Sequence, residues 1–137
     1  MKLRKLGKSG PEVSVVGLGC NNFGLRIDLE ASRKVVHKAL EVGITLFDTA
    51  DIYGNRGGSE SILGQVLGEN RKRVVLATKF GGGMNEAQTM KGASRRYIMS
   101  AAEASLKRLR TDWIDLYRFI FPTRRLPSKK RSALSTI

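Results

Sequence analysis

Three side chains in this sequence have the types and spacing to move a proton together: Asp48, Tyr53 and Lys79. A phenol, with a pKa of about 10, is a poor acid at neutral pH. An ammonium beside it stabilises the phenolate and makes it a better proton donor. A carboxylate paired with that ammonium keeps it charged and aimed, since a lysine stem is otherwise free to rotate. Such a trio would protonate a carbonyl oxygen while a hydride reaches the carbonyl carbon. Spacing alone equally describes a loop acid, a loop aromatic and a surface lysine, so the elements that carry the three residues decide between these readings.

The trio meets only if neighbouring strands end on one side of a sheet. Asp48 follows the β-branched and apolar run Ile44-Thr45-Leu46-Phe47, Lys79 closes the run Val74-Val75-Leu76-Ala77-Thr78, and Tyr53 lies just beyond Asp48. Helical patterns separate these runs. Asp28 is an N-cap for a helix to about residue 42, on which Val35, Val36, Ala39 and Leu40 share one face and which Gly43 stops. Ser59 caps a short helix to about residue 67 that turns Ile62, Leu63, Val66 and Leu67 inward. Ser94 begins the longest helix, with Ile98, Ala101, Ala102, Ser105, Leu106 and Leu109 at helical spacing.

At the amino terminus, residues 3–6 and 12–16 flank the turn-rich Gly7-Lys8-Ser9-Gly10-Pro11 as a hairpin. Val13, Val15, Val16 and Leu18 read as a buried strand, and Trp113-Ile114-Asp115-Leu116-Tyr117 as the fourth strand of the series. Gly81-Gly82-Gly83 reads as a slack loop, with a substrate lid as the alternative. The order is therefore a hairpin followed by β-α-β-α-β-α-β, which implies an α/β fold of parallel strands joined by helical crossovers. In a parallel barrel the carboxyl ends of the strands share the face on which active sites are built.

Composition narrows the class. With 137 residues, 41% of them hydrophobic and 27% charged, the chain has material for one core and falls outside disordered and fibrous types. No apolar run approaches the roughly 18 residues of a spanning helix, and the basic amino terminus leads into no signal-type apolar segment. A cytoplasmic protein is expected. Cys20 is the only cysteine, which excludes an internal disulfide and a cysteine metal cluster and suits a reducing compartment. His37, the sole histidine, sits mid-helix beside Lys38 and reads as an exposed or capping residue, so no metal site is expected.

The formal charge of +13 would suit an anionic partner, but its distribution argues otherwise. Every acidic residue lies at or before Asp115, while Arg118, Arg124, Arg125, Lys129, Lys130 and Arg131 crowd the last twenty residues without an anion. No interleaved aromatics or recognition motif accompany these cations, so nucleic acid is not an expected partner.

The segment Asp48-Thr49-Ala50-Asp51-Ile52-Tyr53-Gly54 with Ser59-Glu60 resembles the aldo-keto reductase signature D-T-A-x-x-Y-G…E. The strand ending in Lys79, the Gly17-Leu18-Gly19 turn, Leu106-Lys107-Arg108-Leu109 and the stretch from Thr111 to Tyr117 are similar to the same family in the same order. The resemblance covers residues 1–117. It implies an incomplete (β/α)8 TIM barrel made of the amino-terminal hairpin and about four βα units. It further implies carbonyl reduction by hydride transfer from NADP(H) to a small carbonyl substrate, with Tyr53 as proton donor, Lys79 as the group that tunes it and Asp48 as the acid that pairs with the lysine. Backbone around Gly19, Cys20, Asn21 and Asn22, together with Asp48, would border the nicotinamide; Cys20 also reads as a small buried thiol. A Rossmann loop is not implied, because Asn22 stands where G-x-G-x-x-G needs its last glycine.

The resemblance ends at Tyr117. Where the family has a motif like Y-Q-I-H-x-P-D, this chain reads Tyr117-Arg118-Phe119-Ile120-Phe121-Pro122-Thr123, and Ile120 takes the histidine's place. Synonymous codons exist for residues 118–137 that, with one C placed in front, decode as Q-I-H-F-P-D-P-A-T-P-I-E-E-T-L-S-A-L-D-D. Residues 118–137 are therefore expected to be an out-of-frame, irregular basic tail. A complete barrel takes about 250 residues and eight strands, so these 137 residues are expected to be a truncated fragment that does not bind NADP(H) or turn over. A non-catalytic half barrel that binds a partner or associates with itself through its exposed strand edges is the competing expectation, and a basic nucleic-acid binder a more distant one.

Overall fold

A computed structural model describes residues 1–87 and 89–121. A two-stranded antiparallel hairpin, β1 (Leu3–Lys5) and β2 (Glu12–Ser14), precedes a four-stranded parallel sheet in the order β3 (Gly17–Gly19), β4 (Leu46–Asp48), β5 (Val75–Phe80), β6 (Leu116–Phe119). Three crossovers, α1 (Leu29–Glu41), α2 (Tyr53–Leu67) and α3 (Arg95–Leu109), join successive strands. This is the α/β pattern of a TIM-barrel segment, a hairpin and then four parallel strands.

Side-chain alternation along the strands gives the sheet two faces. Leu18, Phe47, Leu76, Thr78, Phe80, Tyr117 and Phe119 point toward the helices. Phe47 and Leu76 are fully buried there against Val36, Ala39, Leu63, Val66 and Leu109. Phe80 stacks on the Tyr117 ring and packs with Tyr97, Ile98 and Ala101 in a second cluster. The other face carries Gly17, Gly19, Leu46, Asp48, Ala77, Lys79, Leu116 and Arg118. Register sets Gly19 beside Asp48, Asp48 beside Ala77, and Lys79 beside Arg118. The polar residues of this second face are therefore gathered at the carboxyl ends of the strands.

Local signals act where they are expected. The Asp28 side chain accepts from the Ala31 N–H at 2.9 Å, Ser94 caps α3 by accepting from Tyr97 N–H, and Gly43 leaves α1 with a φ of +83°.

Four expectations are corrected. Val15 and Val16 are exposed, because the Ser14 backbone and hydroxyl bond to Thr45 while that hydroxyl donates to the Val16 carbonyl, kinking the chain between β2 and β3. Val35 lies at the edge of the α1 stripe and is also exposed, leaving Val36 and Ala39 to make the contact. The fourth strand begins only at Leu116: residues 113–115 are held by side chains instead of a ladder, since the Asp115 carboxylate accepts from Arg71 and from the Leu76 N–H. The strand then runs on through Arg118 and Phe119, into the residues set apart as tail.

The fourth correction is Gly81 and Gly82, which are buried and not slack. Gly81 has a φ of +109°, and a Cβ there would strike the Phe119 ring, while one on Gly82 would strike Ile52. The rest of the expected tail, residues 122–137, lies outside the described residues.

Candidate active site

Asp48 is the last residue of β4, and Lys79 lies one pleat further along the neighbouring strand on the same face. The Lys79 ammonium donates to Asp48 Oδ2 at 2.6 Å, to the Thr49 carbonyl at 2.9 Å and to the Tyr53 hydroxyl at 3.4 Å. It also lies 4.8 Å from the centre of the Tyr53 ring. The lysine side chain is 13% exposed and the aspartate 36%, so the pair is neither on open surface nor sealed from a ligand. All three N–H bonds of the ammonium are occupied, which fixes a normally mobile group. Because Lys79 fills a lone pair of the phenol oxygen, the tyrosine's own O–H is left free to donate.

Tyr53 is brought to this point by a backbone the sequence did not advertise. After it, Gly54, Asn55, Arg56 and Gly57 all have positive φ, between +61° and +115°, and regular helix follows only after Gly57. A left-handed residue with a side chain costs roughly 1–2 kcal/mol, so Asn55 and Arg56 are held there by their surroundings. Gly54 packs so closely on Phe23 and Ser59 backbone that no Cβ fits. Ser59, expected as a helix cap, instead bonds the Thr49 hydroxyl at 2.8 Å and donates to the Cys20 carbonyl at 2.7 Å, stitching the loops after β3 and β4 together. Beneath them Glu60, fully buried, accepts from the Thr78 hydroxyl at 2.6 Å and from Arg108 Nε at 2.7 Å.

Arg118 was not among the expected site residues, yet its guanidinium pairs with Asp48 Oδ1, so two cations share one carboxylate. The signal for it was its strand position: one residue past Tyr117, in register with Lys79, it faces the mouth. Ile120 follows the strand, and its N–H donates to the Phe80 carbonyl.

The residues expected to border a cofactor divide. Gly19, Asn21 and Asn22 are exposed beside Asp48, and the side-chain amides of both asparagines have no partner among the described residues. A bare glycine and two free amides fit the flat ring and carboxamide of a nicotinamide. Cys20 is fully buried, so its side chain cannot line a cleft; only its backbone takes part, the N–H donating to the Asp48 carbonyl at 2.8 Å. Burial, reinforced by the Asp48 carboxylate, pushes the Cys20 thiol up to about 12, which leaves it neutral and unreactive. Among the described residues no group of three or more His, Cys, Asp or Glu could hold a metal, and no helix is long and apolar enough to cross a membrane. His37 is exposed on α1, away from the strand mouth.

Comparison with known proteins gives one family. The model of the Aldo/keto reductase family matches residues 15–134. Two proteins of Bacillus subtilis (strain 168), the uncharacterized oxidoreductases YqkF and YrpG, are each 40% identical to this chain. The YqkF match extends over 120 residues, 86% of this chain and 38% of the relative; the YrpG match over 137 residues, 93% and 42%. The holo form of aldo-keto reductase AKR11C1 from Bacillus halodurans superposes with a TM-score of 0.79 at 40% identity, covering 87% of this chain and 40% of that one. The chain thus spans well under half the length of the relatives it matches.

Proposed function

The chain belongs to the aldo/keto reductase family, and from that premise we propose that its strand-mouth cluster supplies the proton in the NADPH-dependent reduction of a small carbonyl compound. The observation that carries this reading is the Lys79 ammonium bonded at once to Asp48, the Thr49 carbonyl and Tyr53. When bound, the dinucleotide supplies the hydride. Tyr53 gives its hydroxyl proton to the carbonyl oxygen as negative charge develops there. Lys79 stabilises the phenolate left behind, and Asp48 holds the ammonium charged and in place. Gly19, Asn21 and Asn22 form the rim against which a nicotinamide would rest, and Cys20 contributes backbone alone.

Two features of this chain weigh against turnover by the 137 residues as they stand. Arg118 shares the Asp48 carboxylate with Lys79, and the Ile120 side chain offers no hydrogen-bond donor where the family resemblance calls for a histidine. The purified chain with NADPH and a reactive aldehyde is therefore expected to consume no cofactor above the aldehyde-free control. Turnover that falls about 10²–10⁴-fold in Tyr53→Phe would keep the phenol as acid and remove the silence. Turnover untouched by that change would remove the phenol from the mechanism.

We further propose that residues 118–137 are translated out of frame in a cytoplasmic protein, with the family match running on from the in-frame residues as far as 134. Support comes from the decoded string, which restores a histidine, a Pro-Asp pair and an amphipathic stretch together. Main-chain pairing of Arg118 and Phe119 with β5 is compatible with it, because ladder bonds do not depend on side-chain identity. Sequencing the locus is the check: codons after Tyr117 that cannot be re-read in the shifted frame end the idea.

A further inference from the structure

Asp51 has no part in the proton transfer just described, yet it is a buried acid whose two oxygens are unpartnered among the described residues. It lies between β4 and α2, two residues before Tyr53, and only 1% of it is exposed. Among the described residues neither of its carboxylate oxygens has a hydrogen-bond donor. From α2 it faces Glu60, from α3 Arg108 and Tyr97, and from β6 Tyr117, whose buried hydroxyl is also without a partner. A cavity of about 40 Å³ beside it is lined by Asp51, Tyr97, Ser100, Arg108 and the side chains of Met84 and Met90, among others.

An ionised carboxylate in such a place is costly, because the nearby Ile52 and Gly81 amides and the engaged Arg108 only partly replace the water it has lost. The one nearby cation, Arg108, is already bonded to Glu60. With Asp51 ionised, the three groups Asp51, Glu60 and Arg108 carry a net negative charge in the interior; with Asp51 neutral they balance. Burial first, and the Glu60 charge second, push the Asp51 carboxyl up to about 7, against the weaker pull of the Ile52 and Gly81 amides and of Arg108. Burial and the Asp51 charge likewise raise Tyr97, to about 12, and burial raises Tyr117 with it, so both phenols stay neutral while Asp51 titrates.

The backbone around Asp51 is the same backbone that holds the site. Its N–H donates to the Lys79 carbonyl at 2.9 Å, and the Thr49 carbonyl two residues earlier accepts from the Lys79 ammonium. The loop that carries Thr49 and Asp51 is therefore tied to both the backbone carbonyl and the ammonium of Lys79. The geometry points to Asp51 as a positioning residue whose proton governs the cluster: protonated, it seats the loop so that Lys79 meets Tyr53, and ionised, it pushes the loop away from Glu60 and loosens that contact. The inference rests on the reductase reading only in treating Lys79 and Tyr53 as working groups.

The test needs no turnover. In the full chain carrying isotope-labelled tyrosine, lysine and aspartate, the Tyr53 ring, the Lys79 side chain and the Asp51 carboxyl are followed by NMR from about pH 5 to about pH 9, a window that brackets neutral titrations. In the wild type all three signals should move together with a midpoint near pH 7. Asp51→Asn, a neutral isostere, should hold Tyr53 and Lys79 at their low-pH positions throughout. His37→Gln, which removes the only histidine, should leave the wild-type transition intact.

The inference is overturned if Tyr53 and Lys79 still shift in Asp51→Asn, if the Asp51 carboxyl titrates without moving them, or if it does not titrate in this window. The wild-type carboxyl signal decides the matter even if the variant does not fold. Turnover untouched by Tyr53→Phe would sink the reductase reading and spare this one, whereas a Tyr53 and Lys79 pair that ignores the Asp51 proton would sink this one and spare that reading.

Discussion

Replacing Glu60 with alanine is expected to cost the fold about 3–5 kcal/mol, the penalty for breaking a buried ion pair by removing one partner. Glu60 has no exposed surface, and its two oxygens each receive a short hydrogen bond, from Thr78 on β5 and from Arg108 on α3. One carboxylate thus ties α2 to the sheet and to the next helix. Without it the Thr78 hydroxyl stays buried with no acceptor, and Arg108, 23% exposed, loses the carboxylate it is bonded to. Against a typical domain stability of about 5–15 kcal/mol, that loss leaves a chain folded marginally or not at all. Glu60→Gln retains the shape and one of the bonds and should fall between. Urea unfolding, followed through the fluorescence of the single tryptophan, Trp113, measures both. An alanine variant within about 1 kcal/mol of wild type, the size of an ordinary substitution, would mean that Glu60 is not the tie described here.

Asp51 should make the stability of the wild type fall as pH rises from about 4 to about 7. Its carboxyl holds a proton up to about 7 in the folded chain, against 3.8 when free. Across that interval the folded state binds more protons than the unfolded one, so raising the pH favours unfolding. The contribution is complete below the unfolded value and is gone once the pH has passed the folded one. A shift of this size corresponds to about 4 kcal/mol at most, because water penetration and local relaxation reduce the cost of a buried charge.

Asp51→Asn has no such proton to lose. The measurement is the difference in unfolding free energy between Asp51→Asn and wild type, taken at about pH 5 and about pH 8, on either side of the expected midpoint. Taking the difference removes the other carboxylates, which titrate in both proteins. The difference should grow with pH in favour of the variant. A difference that stays flat would mean that Asp51 is ionised without penalty, and that the surroundings described for it do not act on its charge.

How much of this was legible beforehand depends on the range of the interaction involved. Helix starts at Asp28 and Ser94 and the stop at Gly43 were readable because a cap and its helix lie within four residues of each other. The α1 and α3 stripes, and the alternation of strand and helix, follow from periods of 3.6 and 2 that any window of sequence displays. Asp48 and Lys79 were recognisable as strand-end residues for the same reason.

Other features have no local signature. That Ser59 would bond to the Cys20 carbonyl instead of capping a helix, that four residues after Tyr53 would turn left-handed, and that Gly81 would be trapped under Phe119 all depend on what other segments bring alongside. Val15, Val16 and Val35 look like core by residue type, and only the path of the neighbouring chain leaves them outside.

By itself, then, the sequence determined a hairpin followed by alternating strands and helices, and the kinds of side chain that would stand at the strand ends. Tertiary structure alone decided which of them touch. Lys79 reaches Asp48 across 31 residues and Arg118 reaches it across 70, and both distances are set by how four strands align in one sheet. The same alignment walls Asp51 in beside Glu60. Periodicity is a property of a segment and can be read from it, whereas register and burial are properties of segments placed against each other, and no one of them carries that information.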